Sequence, residues 1–180
     1  MAATHSAKSS SKSKSAKSRT RRTRSRDPLA IKLLKEDHRQ VERWFDEYEQ
    51  LDEAREKLEM FQKIALALKV HTQIEEEIFY PEERGDVDED LLDEAYVEHQ
   101  SAKQMIAEIE QMRPSDEYYD AKVKVLGEYV KHHVKEEEQR DGIMAQAKRG
   151  DEDLEAMGER MKARKEELMA RMDGGGRKPS

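Results

Sequence analysis

Four stretches of this chain carry apolar residues at alternating spacings of three and four, and each of these stripes is interrupted by histidine or glutamate. The first reads Ile31, Leu34, His38, Val41, Phe45, Tyr48, and the second Phe61, Ile64, Leu68, His71, Glu75, Ile78. The third reads Leu92, Ala95, His99, Ala102, Ile106, Ile109, and the fourth Tyr119, Val123, Leu126, Val130, His133, Glu137. Such spacing sets one face of an α-helix against a core. The breaks between stripes are short and marked by Pro81, Gly85 and Pro114. Four amphipathic helices with short connections predict an all-α, up-down-up-down four-helix bundle.

The ends of these helices carry readable signals. Asp27 before Pro28 predicts an N-cap followed by the first helical position. Ser115 or Asp116 is expected to cap the fourth helix, and Asp141-Gly142 to end or distort it. Gly150-Asp151 reads as a stop and a new cap. Leu154, Met157, Met161, Leu168 and Met172 then predict a fifth, weaker helix that packs on the bundle or on a partner. Met at that spacing is expected to fill gaps in a core or an oligomer contact, and the oligomeric state is left open. The expected organisation is a disordered basic tail over 1–26, the bundle over 27–148, the C-terminal helix over 149–172 and a flexible end over 173–180.

The formal net charge of −7 over 180 residues hides a division. Residues 1–26 hold nine Lys and Arg and no acid, so the remainder carries about −16. The tail can bind DNA or another polyanion without sequence preference. The competing readings are a solubilising tail or a transit peptide, the latter disfavoured by the missing apolar face. There is no Cys, which excludes disulfides, thiolate zinc, iron–sulfur clusters and cysteine nucleophiles. No apolar run approaches the ~20 residues of a membrane span, and no secretory h-region is apparent, so a cytoplasmic location is expected.

The six polar residues in the stripes are the main clue to function. A buried carboxylate is costly unless paired or metal-bound. His71 and Glu75 lie one helical turn apart on one face, as do His133 and Glu137, while His38 and His99 reach inward from the other two helices. His132 sits one position off the stripe, so periodicity favours His133, although both remain open. The pattern repeats: His38 and His99 are 61 residues apart and His71 and His133 are 62 apart, as a pseudo-twofold bundle requires. Imidazole plus carboxylate without thiolate suits iron, manganese or zinc. Four His and two Glu exceed one tetrahedral zinc and suit two ions. With both carboxylates bridging and a shared oxo or hydroxo, about two positions are left for an exogenous ligand. A structural helical protein with buried His–Glu hydrogen bonds is the bland alternative. Trp44, Tyr48, Phe61, Phe79 and Tyr80 either line a pocket near the metals or, for most of them, pack the core. Glu76, Glu77, Glu136 and Glu138 read as solvated faces or as groups that orient the histidines.

At this point the chain resembles the hemerythrin-like, or HHE cation-binding, family. The carriers are Asp37-His38-Arg39, the run His71-Thr-Gln-Ile-Glu75-Glu-Glu-Ile-Phe-Tyr-Pro81, Glu98-His99, and His132-His133-Val-Lys-Glu136-Glu137-Glu138. The resemblance covers about residues 27–148 and implies a non-haem di-iron centre. His38, His71, His99 and His133 would be terminal ligands, and Glu75 and Glu137 would bridge. It implies a protein that binds or senses O2, NO or peroxide, with oxidase or peroxidase turnover left open. Oxygen-carrying members have a second third-helix His where this chain has Lys103, so one metal loses an imidazole or takes another donor, which weighs against reversible oxygen carriage. The alternative function is association with nucleic acid through the basic tail, the bundle serving as a structural or metal-storage body.

Overall fold

The computed structural model describes residues 27–174. The basic tail and the last residues, 175–180, lie outside the described residues. Among the described residues the regular elements are all helical: α1 Leu29–Tyr48, α2 Ala54–Ile74, α3 Glu89–Glu110, α4 Tyr119–Glu138, α5 Ile143–Ala147 and α6 Leu154–Gly174. None of these helices is long and apolar enough to cross a membrane.

The first four helices form the expected bundle, with α1 beside α2 and α4, and α3 beside α2 and α4. The apolar stripes face inward in all four. They build two apolar clusters. One gathers Val41, Phe45, Phe61, Ile106, Leu126 and their neighbours. The other gathers Ile31, Leu34, Ile74, Tyr80 and Leu92 with Met144, Met157 and Met161 of the C-terminal segment. The stripe histidines and glutamates lie along the sequence between residues of these clusters and form a buried polar layer.

The C-terminal helix packs on the bundle itself, against α1 and α2. Met157, Met161 and Leu168 are fully buried there. The close approach is made possible by Gly158, where a Cβ would stand 2.5 Å from the Ala30 backbone nitrogen. Three charged contacts then pin α6 to the carboxylates beneath it: Arg160 donates to Glu82, Arg164 to Glu77 and Lys165 to Asp37.

One departure from regular helix positions the site. The second stripe predicts Ile78 in the core, but the structure half-exposes Ile78 and buries Phe79 and Tyr80. Beyond Ile74 the chain winds through a π-helical turn, Glu75–Phe79, and a last α turn, Tyr80–Glu82. The Tyr80 N–H donates to the Glu75 carbonyl five residues back. In an α-helix five positions carry a side chain about 140° round the axis. The wider π turn winds more slowly and swings Tyr80 back over Glu75.

The expected caps are corrected at three places. Asp27 makes no cap; Pro28 occupies the N-cap position and Asp27 pairs with Lys35 and Lys148. Neither Ser115 nor Asp116 caps α4, which starts after Tyr118 in the left-handed region, while Asp116 accepts the Arg113 backbone N–H. Asp153, rather than Asp151, caps α6 by accepting from Glu155 and Ala156. Asp151 lies two residues before that cap and donates its N–H to Asp86. The fourth helix does end before Gly142, whose Cβ would stand 2.1 Å from the Glu136 carbonyl, closer than any side chain tolerates.

Glu83, in the turn after α2, is fully buried with neither carboxylate oxygen hydrogen-bonded. Burial, aided by Asp86, Glu152 and Glu82, raises its pKa to about 7. A raised acid pKa favours the fold while the group is protonated, and that contribution is lost as pH climbs towards 7. Glu83→Gln should therefore leave stability at pH 5 nearly unchanged and raise it at pH 8 by ~2–3 kcal/mol. Urea unfolding at the two pH values measures this, and equal effects at both would contradict it.

Candidate metal centre

The polar layer is built from one helix turn of each bundle helix. His38 Nε2 lies 3.1 Å from His71 Nε2, and His99 Nε2 lies 3.2 Å from His133 Nε2. The two pairs repeat one another, with ring centroids 4.7 and 4.8 Å apart at steep angles. Both glutamates span the pairs. Glu75 Oε2 lies 3.1 Å from His71 Nε2 and 3.4 Å from His99 Nε2. Glu137 Oε2 lies 3.3 Å from His38 Nε2 and 3.7 Å from His133 Nε2. All six predicted residues are buried. His132 is 59% exposed and pairs with Glu136 on the outside of α4, so of the two candidates His133 is the one that joins the layer.

A second row of carboxylates surrounds the imidazoles. Glu138 Oε1 lies 2.8 Å from His38 Nδ1, Glu76 Oε1 lies 3.1 Å from His99 Nδ1, and Glu98 Oε2 lies 2.6 Å from His133 Nδ1. Asp37 Oδ2 approaches His71 Nδ1 to 3.6 Å, beyond hydrogen-bond range. The order is cyclic. The acid of α1 faces the His of α2, that of α2 the His of α3, that of α3 the His of α4, and that of α4 the His of α1. Each acid is the immediate sequence neighbour of an inward-pointing residue on its own helix: Asp37 of His38, Glu76 of Glu75, Glu98 of His99 and Glu138 of Glu137. Glu77 and Glu136 do not join this row; Glu77 pairs with Arg164.

This arrangement fixes the protonation of the layer. A carboxylate at Nδ1 holds the imidazole proton there and leaves Nε2 with a bare lone pair. Two bare nitrogens facing each other at 3.1–3.2 Å repel unless a proton or a cation lies between them. Burial alone would depress His38, but Glu137 and Glu138 outweigh it and hold its pKa at about 9. Burial dominates at His71, which falls to about 4 against the pull of Asp37. Burial also lowers His99, opposed by Glu76. Glu75 is pushed well above the usual carboxylate range by burial and by Glu137, whereas burial of Glu137 is outweighed by His133, His38 and His71, which hold it ionised.

The residues fit a metal. Both oxygens of Glu75 and Oε2 of Glu137 are buried with no hydrogen-bond partner. One donor atom each from His38, His71, Glu75 and Glu137 lies within 4.8 Å of the others, and Glu75 with His99 and His133 does the same. Bonds of ~2.1 Å at right angles put neighbouring donors about 3 Å apart, which the closest His–His and His–Glu separations approach.

Two further residues shape the centre. Lys103 turns away from it and clasps Glu76 with Nζ–O distances of 2.6 and 2.7 Å. Tyr80 turns inward, its hydroxyl donating to Glu137 Oε1 at 2.8 Å and lying 3.3 Å from His99 Nε2. Of the aromatics expected to line a pocket, Tyr80 alone stands at the layer. Tyr48 and Phe61 pack the distant apolar cluster with Trp44 partly buried against it, and Phe79 packs under α6. A small cavity of about 30 Å³ adjoins all four histidines, walled by Val41, Leu68, Ala102, Val130 and Val134.

Comparison with known proteins agrees with this geometry. Residues 29–145 match the family model of the hemerythrin HHE cation-binding domain. A crystal structure of an HHE cation-binding domain-containing protein from Mycobacterium kansasii superposes with a TM-score of 0.69 at 26% identity, covering 79% of this chain and 88% of that one. A protein from Nostoc sp. named DNA nickase is 28% identical over 142 residues, which cover 79% of this chain and 40% of that protein. The chain belongs to the hemerythrin HHE cation-binding domain family.

Proposed function

We propose that the polar layer holds two iron ions and that the adjoining cavity admits a small ligand: O2, NO or peroxide. His38, His71, Glu75 and Glu137 would hold one ion, and His99 and His133 with the shared Glu75 the other. The observation that carries this reading is the convergence of four imidazole Nε2 atoms and unpartnered carboxylate oxygens beside an apolar cavity of about 30 Å³. That volume accommodates one or two molecules of water size. Bound iron would supply the electrons and Lewis acidity that such ligands need.

The protein's own residues set the conditions. Val41, Leu68, Ala102, Val130 and Val134 give the cavity apolar walls and keep bulk water out. Tyr80 holds a proton beside Glu137, because burial and the neighbouring glutamates keep its phenol un-ionised. Its hydroxyl lies 3.3 Å from His99 Nε2, in the half of the layer that has Lys103 where an imidazole could stand. The outer carboxylates hold the histidine rings in place, and their mutation is expected to cost 10–100-fold in metal affinity.

A second reading draws on the tail. Nine cations without an acid over residues 1–26, together with a relative named DNA nickase, support association with nucleic acid through that segment. Deleting 1–26 should abolish a low-salt gel shift; an unchanged shift would move the contact elsewhere.

Three outcomes test the main reading. Reduced, iron-loaded protein exposed to NO should change its visible spectrum saturably, and no change at millimolar ligand would contradict it. Ala102→Leu should fill the cavity, keep the metal and slow that change at least tenfold; an unaltered rate would place ligand access elsewhere. Loading also displaces protons. In the metal-free protein the pKa of His38 is about 9 and that of Glu75 is raised by burial, so uptake should release about one proton or more per chain and affinity should fall as pH drops. Calorimetry in buffers of different ionisation heat measures that number, and zero released protons would contradict the ligand set.

A further inference from the structure

The outer carboxylates are not treated alike. Asp37 is clasped by Lys165, Glu76 by Lys103 and Glu138 by Arg39. Glu98, the carboxylate behind His133, makes no ion pair with Lys or Arg among the described residues. Beside it stand His132 and Glu136. His132 Nε2 lies 3.1 Å from Glu136 Oε1, and one donor atom from each of Glu98, His132 and Glu136 lies within 4.8 Å of the other two. Two carboxylates and an imidazole, partly exposed and without a basic partner, form a donor set for a first-row divalent cation that keeps some of its water.

A second observation gives the cluster a direction. Between α3, α4 and the start of α5 lies a narrow cavity lined by Glu94, Glu98 and Glu136, by His133 and Glu137 of the polar layer, and by the apolar Leu91, Ala95 and Ile143. Glu137, 1% exposed and with Oε2 lacking a hydrogen-bond partner, is shared between this cavity and the polar layer. None of Glu94, Glu98 and Glu136 is paired with Lys or Arg among the described residues. A cleft lined with uncompensated carboxylates concentrates cations. The cavity beside the four histidines has fewer acids, Asp37 and Glu98, and a longer aliphatic wall, which favours neutral ligands over a hydrated cation.

We propose that Glu98, His132 and Glu136 form a surface divalent-cation site through which metal reaches the buried centre. The inference rests on the reading of the polar layer as a metal centre. It gives the two cavities separate traffic: cations pass the acidic cleft and small neutral ligands the apolar one. Glu98 links the sites, since the carboxylate that helps to capture the ion also hydrogen-bonds His133. A helix-surface His–Glu pair with no further role would instead contribute a few tenths of a kcal/mol to stability and nothing to metal uptake.

The test uses full-length, metal-free protein mixed anaerobically with micromolar ferrous ion. Ferrozine is added at intervals to strip free and surface iron, and the protected iron per chain is counted against time. His132→Ala and Glu136→Gln alter an exposed and a half-buried position outside the polar layer. Each should reach the wild-type final content at a rate at least five-fold lower. Glu128→Gln removes the same charge from another exposed position on α4 and should load like wild type. Equal loading rates for wild type and both site variants would overturn the inference while leaving the metal centre standing. An equal slowing by Glu128→Gln would overturn it too, because net charge would then explain the effect. Absence of protected iron in wild type would overturn the centre and this inference with it.

Discussion

The position of the imidazole protons governs the middle of this molecule. A carboxylate at Nδ1 holds the proton of a histidine on the outer side and turns a bare nitrogen inward. The bundle applies this device in a cycle, with full hydrogen bonds at His38, His99 and His133 and a looser approach at His71. The inward nitrogens and two spanning glutamates then form a layer that neither apolar cluster can satisfy. In the metal-free protein the layer holds protons, with the pKa of His38 at about 9 and that of Glu75 pushed up by burial and by Glu137. A cation exchanges with those protons, so the cost of burying these groups becomes affinity for metal.

The rest of the fold serves to keep that layer rigid and dry. Apolar clusters close it on either side, and α6 adds weight where the bundle would otherwise be thin. Its Lys165 holds Asp37 behind His71, so the C-terminal helix reaches the layer through one intervening side chain. The π turn supplies Tyr80 from a helix that already contributes His71 and Glu75, without another segment of chain. In a regular helix Tyr80 would face away from Glu75, and the layer would lack its buried proton donor.

Much of this was legible in the sequence because helix periodicity and burial share one rule. Every stripe residue of α1, α3 and α4 is buried, and the six polar positions meet because they keep the apolar register. The exception is α2, where a π turn changes the phase after Glu75. Periodicity assumes a constant turn and cannot register that change, although Pro81, which lacks an N–H, marks where the hydrogen-bond ladder is altered. The expected caps shift because the carboxylates of Asp27 and Asp116 have tertiary or local partners and the last helix is capped two residues beyond Asp151. Of the outer carboxylates, Glu76 and Glu138 stand among the groups that the sequence offers to orient the histidines, whereas Asp37 and Glu98 are not singled out for that role among 41 acidic residues. Their signal was adjacency: each follows or precedes an inward-facing residue by one position. The different fate of Glu98 could not be read from spacing, since it depends on which basic side chains cross from neighbouring helices.

The most direct test of the account is the metal content and absorption spectrum of the full-length protein after aerobic expression with iron. The account predicts about two irons per chain, with near-ultraviolet and visible bands that bleach on reduction. A folded, helical protein without bound metal, whose thermal unfolding is unmoved by added iron or by a chelator, would contradict it.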